Sequence, residues 1–215
     1  MKVLHSSDLH GRYKKLLCFE EPFDLWVDTG DFFPNKGRRP ATGYRIVPWL
    51  ERSYQSKWWR WKSLGSRLAR WLDGRPMISV SGNHDFVSLA VLLQAAGAHA
   101  HAVQTERAVD VAGLRWAGFR DIPYMDGEWP GEAHTFGEAV DGALAQRPDI
   151  LLTHAPPAGV LDDGEGIPEL ATALRAHPGP RAHLFGHVHH HGGQETTLGS
   201  VRCVNGAEGV RVITL

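Results

Sequence analysis

The sequence predicts an α/β fold with a largely parallel sheet, and three observations carry that prediction. Before residue 97, a short apolar run ends in a polar loop and restarts as a helix three times. After residue 135, helix and buried strand alternate twice more, ending in Ile150–Leu152 and Ala182–Phe185. At 215 residues, with 42% hydrophobic and 22% charged residues, the chain has the length and composition of one globular domain. Strands alternating with helices require βαβ crossovers, and ligands of such sheets gather outside the carboxyl ends of the strands. The polar loops are expected at those ends.

Each element follows from its local pattern. Lys2–His5 reads as a buried strand running into Ser6-Ser7-Asp8, with a helix through Tyr13, Leu16, Leu17 and Phe19 behind it. Asp24–Asp28 is a second strand, stopping at Thr29-Gly30-Asp31. Met77–Val80 is a third, running into Ser81-Gly82-Asn83-His84-Asp85 before a helix over Val87–Ala96. Between the second and third strands, Phe32–Gly74 opens as a loop rich in Pro, Gly and Arg and continues as one long helix. Leu50, Tyr54, Trp58, Trp61, Leu64, Leu68 and Trp71 recur there at spacings of three and four, a single apolar stripe at helical period. That stripe assigns Trp58 and Trp61 to the core, leaves Trp59 as the free tryptophan, and gives Arg52, Arg60, Arg67 and Arg70 to the opposite face.

From Arg107 the pattern shortens. Ala108–Val111 and Arg115–Phe119 form a hairpin through Ala112-Gly113. A helix over Phe136–Gln146 precedes the buried strand Ile150–Leu152, and a helix over Ile167–Ala176 precedes Ala182–Phe185. Val201–Val204 and Val210–Leu215 read as closing antiparallel strands. The whole is one domain, residues 1–215, with a basic, Trp-rich helical insertion at about 33–74.

Composition removes several function classes. Cys18 and Cys203 are too few for a disulfide framework, and neither belongs to a CxxC pair. No apolar stretch approaches the roughly 18 residues of a membrane span, and the N-terminus turns polar before an export signal can form. A cytoplasmic address and no membrane partner are the expectations. The net charge of -1 hides an asymmetry: residues 36 to 62 hold eight Lys or Arg against the single acid Glu51, so this segment carries +7 and the remainder -8. Such a segment can meet anions, or can be a solvated helix face.

The chemistry lies in the order of the strand ends. Five of them deposit Asp8 with His10, Asp31, Asn83 with His84, His154, and His187 with His189. Each pair alone is weak, since an Asp before a helix can simply cap it. Together they form a set of O and N donors suited to hard or borderline divalent cations such as Mn, Fe, Zn or Mg, with no thiolate to favour a soft metal. A carboxylate can bridge two ions, and neutral Asn83 can coordinate without adding charge. Two ions about 3.5 to 4 Å apart can activate a water and clamp an in-line displacement at phosphorus.

These residues resemble the calcineurin-like metallophosphoesterase family. Its ordered signature of DxH, GD, GNH(D/E), H and GHxH is matched by Asp8-Leu9-His10, Gly30-Asp31, Gly82-Asn83-His84-Asp85, His154 and Gly186-His187-Val188-His189, spanning residues 8 to 189. The resemblance implies two central mixed β-sheets flanked by helices, an αββα sandwich. It also implies a binuclear centre, with Mn the expected metal. Asp8, His10 and His189 would hold one ion, Asn83, His154 and His187 the other, and Asp31 would bridge. His84 resembles the histidine that contacts the phosphate and protonates the leaving group, with Asp85 orienting it; a metal-bound hydroxide would be the nucleophile. Phe32-Phe33-Pro34 departs from the polar or acidic residues that follow the bridging Asp in many relatives. Thr153-His154-Ala155-Pro156-Pro157 looks like small bacterial and animal members with phosphodiesterase activity, and the Arg-rich motifs of protein Ser/Thr phosphatases are missing.

Three readings of function follow. The first is a general phosphodiesterase or phosphatase acting on a nucleotide or another small ester. The second is a nuclease or nucleic-acid repair phosphoesterase, in which Lys36, Arg38, Arg39, Arg45, Lys57, Arg60 and Lys62 track phosphates while interleaved aromatics stack bases. The third is a non-catalytic metal-binding scaffold, disfavoured because every metal position and His84 are present. The loop Gly127–Thr135 and the acidic turn Leu161–Gly166 are candidates for the cleft border, and Arg120 for a phosphate contact or, more simply, a surface ion pair.

Overall fold

The computed structural model describes residues 1–36, 46–105, 107–125, 127–176 and 179–215. Arg38, Arg39 and Arg45 lie outside the described residues. The first half builds β1 (Lys2–Ser6), α1 (Lys14–Leu17), β2 (Leu25–Asp28), α2 (Pro48–Trp61), α3 (Leu64–Leu72), β3 (Met77–Ser79), α4 (Leu89–Gln94) and β4 (Ala100–Ala102). The second half builds β5 (Val109–Val111), β6 (Leu114–Phe119), β7 (Ile122–Pro123), β8 (Glu132–Ala133), α5 (Gly137–Ala145), β9 (Ile150–Thr153), α6 (Pro168–Ala176), β10 (Ala182–Phe185), β11 (Glu195–Leu198), β12 (Val201–Asn205) and β13 (Val210–Thr214).

Eleven of the strands form two mixed sheets, as the resemblance implied, and β7 pairs with β8 apart from them. One runs β13-β1-β2-β3-β4, parallel except for the antiparallel β13. The other runs β11-β12-β10-β9-β6-β5, with a parallel centre and an antiparallel strand at each edge. Alternation along each strand divides the core into three layers. Val3, Leu25, Val27 and Ile78 of the first sheet meet Trp116, Ile150, Leu152 and Leu184 of the second, so the sheets pack face to face. On the outer side of the first sheet, Leu4, Trp26 and Met77 pack under Trp58, Trp59, Leu68 and Leu93 from the helices. On the outer side of the second, Leu151, Phe185 and Cys203 pack under Val140, Leu170 and Leu174 of α5 and α6.

The closing strands go to different sheets: β13 pairs antiparallel with β1, while β12 lies antiparallel to β11 and parallel to β10, because strand partners are chosen by buried faces far away in the chain. Two expectations are corrected. The long helix is two helices, broken where Ser63 takes φ 51°. Finally, the buried face of α2 is turned from the predicted stripe: Glu51, Gln55, Trp58 and Trp59 are buried, and Trp61 is 75% exposed. Glu51 and Gln55 can face inward because loop polar groups await them there, which satisfies the cost of burying them.

Candidate metal centre

The loops after β1, β2 and β3 of one sheet and after β9 and β10 of the other converge at the carboxyl ends of both sheets. Backbone hydrogen bonds lock them together: Asp8 N–H donates to Gly30 O (2.9 Å), His10 N–H to Asp31 O (2.8 Å), and Gly186 N–H to His154 O (3.0 Å). Two glycines permit this closeness. A Cβ on Gly82 would run into the Asp31 carboxylate and backbone, and one on Gly186 into Ser7 and Asp8. The backbone also bends against its preference, since Asp8, His10, Asp31 and His187 all have positive φ (55°, 43°, 57° and 69°). Such conformations in non-glycine residues cost on the order of 1 kcal/mol or more each and concentrate at functional sites.

Asp31 is the hub. Its Oδ2 lies 3.4 Å from His154 Nε2 and 3.9 Å from the Nε2 atoms of both His10 and His84, and its Oδ1 accepts from His84 N–H at 2.7 Å. Asp8 sits beside it. Asp8 Oδ1 lies 3.2 Å from His189 Nε2 and 4.0 Å from His10 Nε2, while Asp8 Oδ2 accepts from Ser7 Oγ (2.6 Å) and His187 N–H (3.0 Å). Asn83 Oδ1 meets His154 Nε2 at 3.0 Å, and His154 Nδ1 meets Thr29 O at 2.7 Å. Three triads of donor atoms fall within 4.8 Å of one another: Asp8, His10 and His189; Asp8, Asp31 and His154; His10, Asp31 and His84. Two ligands on one ion with bonds near 2.1 Å stand at most about 4.2 Å apart, so most of these separations are already those of a coordination sphere. The donor set, carboxylate oxygen and imidazole nitrogen without thiolate, fits two divalent cations of the harder kind.

The remaining predicted residues take more particular places. His187 packs its ring 5.0 Å from that of His154, and its Nε2 lies 3.3 Å from Glu165 Oε2. His189 turns Nδ1 to Glu208 Oε1 at 3.3 Å. Carboxylates behind metal-binding imidazoles fix ring orientation and tautomer. Asp85, expected to orient His84, turns to the backbone. Its carboxylate accepts backbone N–H groups from Asp31 (2.8 Å), Gly82 (3.0 Å) and Phe33 (3.1 Å), tying the loop after β3 to the loop after β2. Arg120 makes no ion pair among the described residues and turns its guanidinium to the carbonyls of Gly82 (3.5 Å) and Asp85 (3.4 Å).

Electrostatics agree with a cation-seeking site. Burial by itself would depress His154, yet the Asp31 carboxylate overcomes that and lifts its pKa to about 10. Burial would raise Asp31, yet His154 and His84 hold it below the usual carboxylate range. Asp85 is pushed up to about 7 by burial and by Asp31, against the pull of its backbone donors. The buried carboxylates thus favour positive charge on His154 and His189, while burial pulls His10 the other way. A bound divalent cation would supply that charge and release the proton.

Sequence reasoning missed the residues that support His84. Its Nδ1 meets Asn35 Oδ1 at 2.5 Å, and Asn35 Nδ2 donates to Glu51 Oε2 at 3.3 Å. Gln55 Nε2 donates to His84 O at 2.6 Å while its Oε1 accepts from Phe86 N–H at 2.9 Å. Glu51 had a signal, as the one acid of a basic segment; Asn35, alone in a loop, had none. The loop flagged at Gly127–Thr135 does border the site, with the Trp129 ring 4.2 Å from that of His84, and so does the acidic turn, through Glu165.

The family model described as calcineurin-like phosphoesterase matches residues 1–191. No curated protein matches the chain by sequence. A putative 5′-nucleotidase from Staphylococcus aureus superposes with a TM-score of 0.57 at 12% identity, over 95% of this chain and 48% of its own. The calcineurin-like phosphoesterase YfkN from Bacillus subtilis superposes with a TM-score of 0.46 at 13% identity, over 88% of this chain and 72% of its own. The first likeness is one of fold, and this chain spans about half that relative's length. No helix of the described residues is long and apolar enough to cross a membrane.

Proposed function

This chain belongs to the calcineurin-like phosphoesterase family, and from that premise we propose that it is a binuclear metal-dependent phosphoesterase, acting on diesters, with His84 as general acid. One observation carries the reading: Asp31 Oδ2 stands among the Nε2 atoms of His154, His10 and His84, joining the donor cluster to the proposed acid. When bound, two divalent cations, Mn expected, supply Lewis acidity that activates a water and neutralises phosphoryl oxygens. Asp8, His10 and His189 would hold one, Asn83, His154 and His187 the other, and Asp31 both.

The protein's own groups then position the reaction. The water oxygen forms the new bond to phosphorus, giving up one proton to solvent, as the bond to the leaving oxygen breaks in line with it. His84 delivers its Nε2 proton to that oxygen. The tautomer follows from its neighbours. The Glu51 carboxylate accepts from Lys36 N–H at 2.9 Å and from Asn35 Nδ2, so the Asn35 amide turns its oxygen to His84. That oxygen accepts, so Nδ1 carries a hydrogen and Nε2 is the nitrogen that exchanges its proton in the site. Asn35 is therefore a positioning residue and Glu51 its anchor.

His84→Ala tests the acid role. It is expected to cut turnover of alkyl esters by about 100-fold or more while nitrophenyl esters, whose leaving group scarcely needs a proton, lose far less. Equal losses on both would remove His84 from that role.

A second reading, nucleic-acid cleavage, draws on the outer face of α2. Trp49 and Trp61 are exposed there beside Lys57 and Arg60, and Lys62 Nζ stands 3.6 Å over the Trp61 ring. Charge reversal at Lys57 and Arg60 would weaken DNA binding and flatten its salt dependence if that face tracks a strand; unchanged binding would dispose of this reading.

A further inference from the structure

The two residues at the tip of the loop after β3 are each covered by a side chain of the β7–β8 segment. Met125 Sδ lies 3.9 Å from Asn83 Nδ2, and the Trp129 ring lies 4.2 Å from the His84 ring. Tyr124 and Met125 are 50% and 49% exposed, among only five large apolar side chains that are exposed in the described residues. Tyr124 stacks on His134, with ring centroids 4.3 Å apart at 22°. The segment is held in shape. Glu132 accepts from Met125 N–H (2.7 Å) and Trp129 N–H (2.9 Å), and Ile122–Pro123 pairs with Glu132–Ala133. Its exposed apolar groups are thus a fixed wall, present before any ligand arrives.

We propose that this wall is the subsite for the leaving group and that it selects an uncharged alcohol with a flat aromatic face, such as a nucleoside, over a leaving group that carries further phosphates. The inference rests on the proposed acid role of His84. Proton delivery requires the leaving oxygen within hydrogen-bond reach of His84 Nε2. Whatever that oxygen carries must then extend past His84, where Trp129 stands. Tryptophan and thioether surfaces suit planar rings. Charge decides between leaving groups: residues 121 to 135 contain no Lys or Arg but four acids, Asp121, Asp126, Glu128 and Glu132. Arg120, the one cation beside them, is turned inward to the Gly82 and Asp85 carbonyls. Within this segment, then, a second phosphate would find carboxylates and no Lys or Arg side chain.

The test uses leaving alcohols as ligands, so that it holds for monoester and diester chemistry alike. Adenosine, phenol and ribose are compared as inhibitors of bis-p-nitrophenyl phosphate hydrolysis by the Mn-loaded protein, and as ligands that move the Trp129 indole N–H resonance in the metal-free protein. Adenosine is expected to inhibit at about one tenth of the ribose concentration, as base stacking on an aromatic side chain implies, and to shift the Trp129 resonance where ribose does not. In Trp129→Ala the adenosine-to-ribose ratio should fall toward one, and Trp129→Phe should restore it. Phenol matching adenosine would assign the wall to aryl rings in general; adenosine alone would assign it to nucleosides. Equal inhibition by adenosine and ribose, or a ratio indifferent to Trp129→Ala, would overturn the proposal. Absence of hydrolysis by the loaded protein would instead count against the phosphoesterase reading, while the indole resonance still reports on the wall.

Discussion

Asp31 is the residue on which the proposed centre depends most, because its two oxygens face His154, His10 and His84 together. Asp31→Ala is expected to lower bound Mn at both positions, from about two ions per chain to below about one, since a bridge is shared; retention of two ions would show that it does not bridge. Asn35→Leu should leave metal content intact while it frees the His84 ring and removes one donor from Glu51. Turnover of alkyl esters should drop by about 10- to 100-fold, the usual scale for removing an orienting partner. Long-range proton–nitrogen correlations should also lose the fixed Nδ1–H signal of His84. An unchanged tautomer would take Asn35 out of the account. The residues proposed to bear the chemistry were legible because the donor motifs fall in order at strand ends. The residues that support them were not: Asn35, Glu165 and Glu208 act on partners 49, 22 and 19 residues away, and none of the three belongs to a donor motif.

Among elements, α2 departs furthest from its sequence pattern. Counting apolar residues at helical period gave Leu50, Tyr54, Trp58 and Trp61, because periodicity weighs hydrophobicity and ignores polar partners. The buried Glu51 and Gln55 turn the helix so that Gln55 satisfies Phe86 N–H and His84 O at once. Gln55→Leu therefore strands Phe86 N–H, leaves His84 O with only the longer 3.4 Å contact from Asn35 Nδ2, and should destabilise by about 1 to 3 kcal/mol. Trp58→Ala should cost about 3 to 5 kcal/mol, and Trp61→Ala less than about 0.5 kcal/mol. Chemical denaturation of the three variants checks the order; a large loss for Trp61→Ala would restore the sequence-derived stripe. Other elements escaped notice for simpler reasons. The edge strand β11 is Glu-Thr-Thr-Leu with three exposed residues, and β7 and β8 have two residues each, too short for any period to register.

Across the whole molecule, the strand and helix rhythm made the α/β class and the parallel sheet centres readable, whereas the division into two sheets came from the family resemblance. Partner choice between distant strands is set by which faces bury together, and local sequence does not encode it. The packed sandwich also buries histidines that must stay neutral. Burial pulls His183 down to about 3, and Thr153 Oγ1, which donates to Ala155 O at 2.6 Å, accepts its Nε2–H at 2.7 Å. Burial, followed by Arg211, lowers His5 to about 3 as well. Below the unfolded value of 6.5 the unfolded chain binds protons that the folded chain refuses, so stability is full above that pH and falls as pH drops toward 3. Each histidine contributes a slope of at most about 1.4 kcal/mol per pH unit. His183→Gln keeps a donor for Thr153 and should flatten the fall between about pH 6 and pH 4 by one such slope; an unchanged slope would mean His183 does take up a proton in the fold.

The central claim is that the cluster around Asp31 holds two divalent ions that hydrolyse a phosphoester. Metal-stripped protein should be titrated with Mn while hydrolysis of bis-p-nitrophenyl phosphate and p-nitrophenyl phosphate is followed together. No turnover is expected without metal; activity should rise to a plateau at about two ions per chain, with the diester cleaved faster. Two bound ions with neither ester hydrolysed, by Mn, Fe, Zn or Mg, would contradict it.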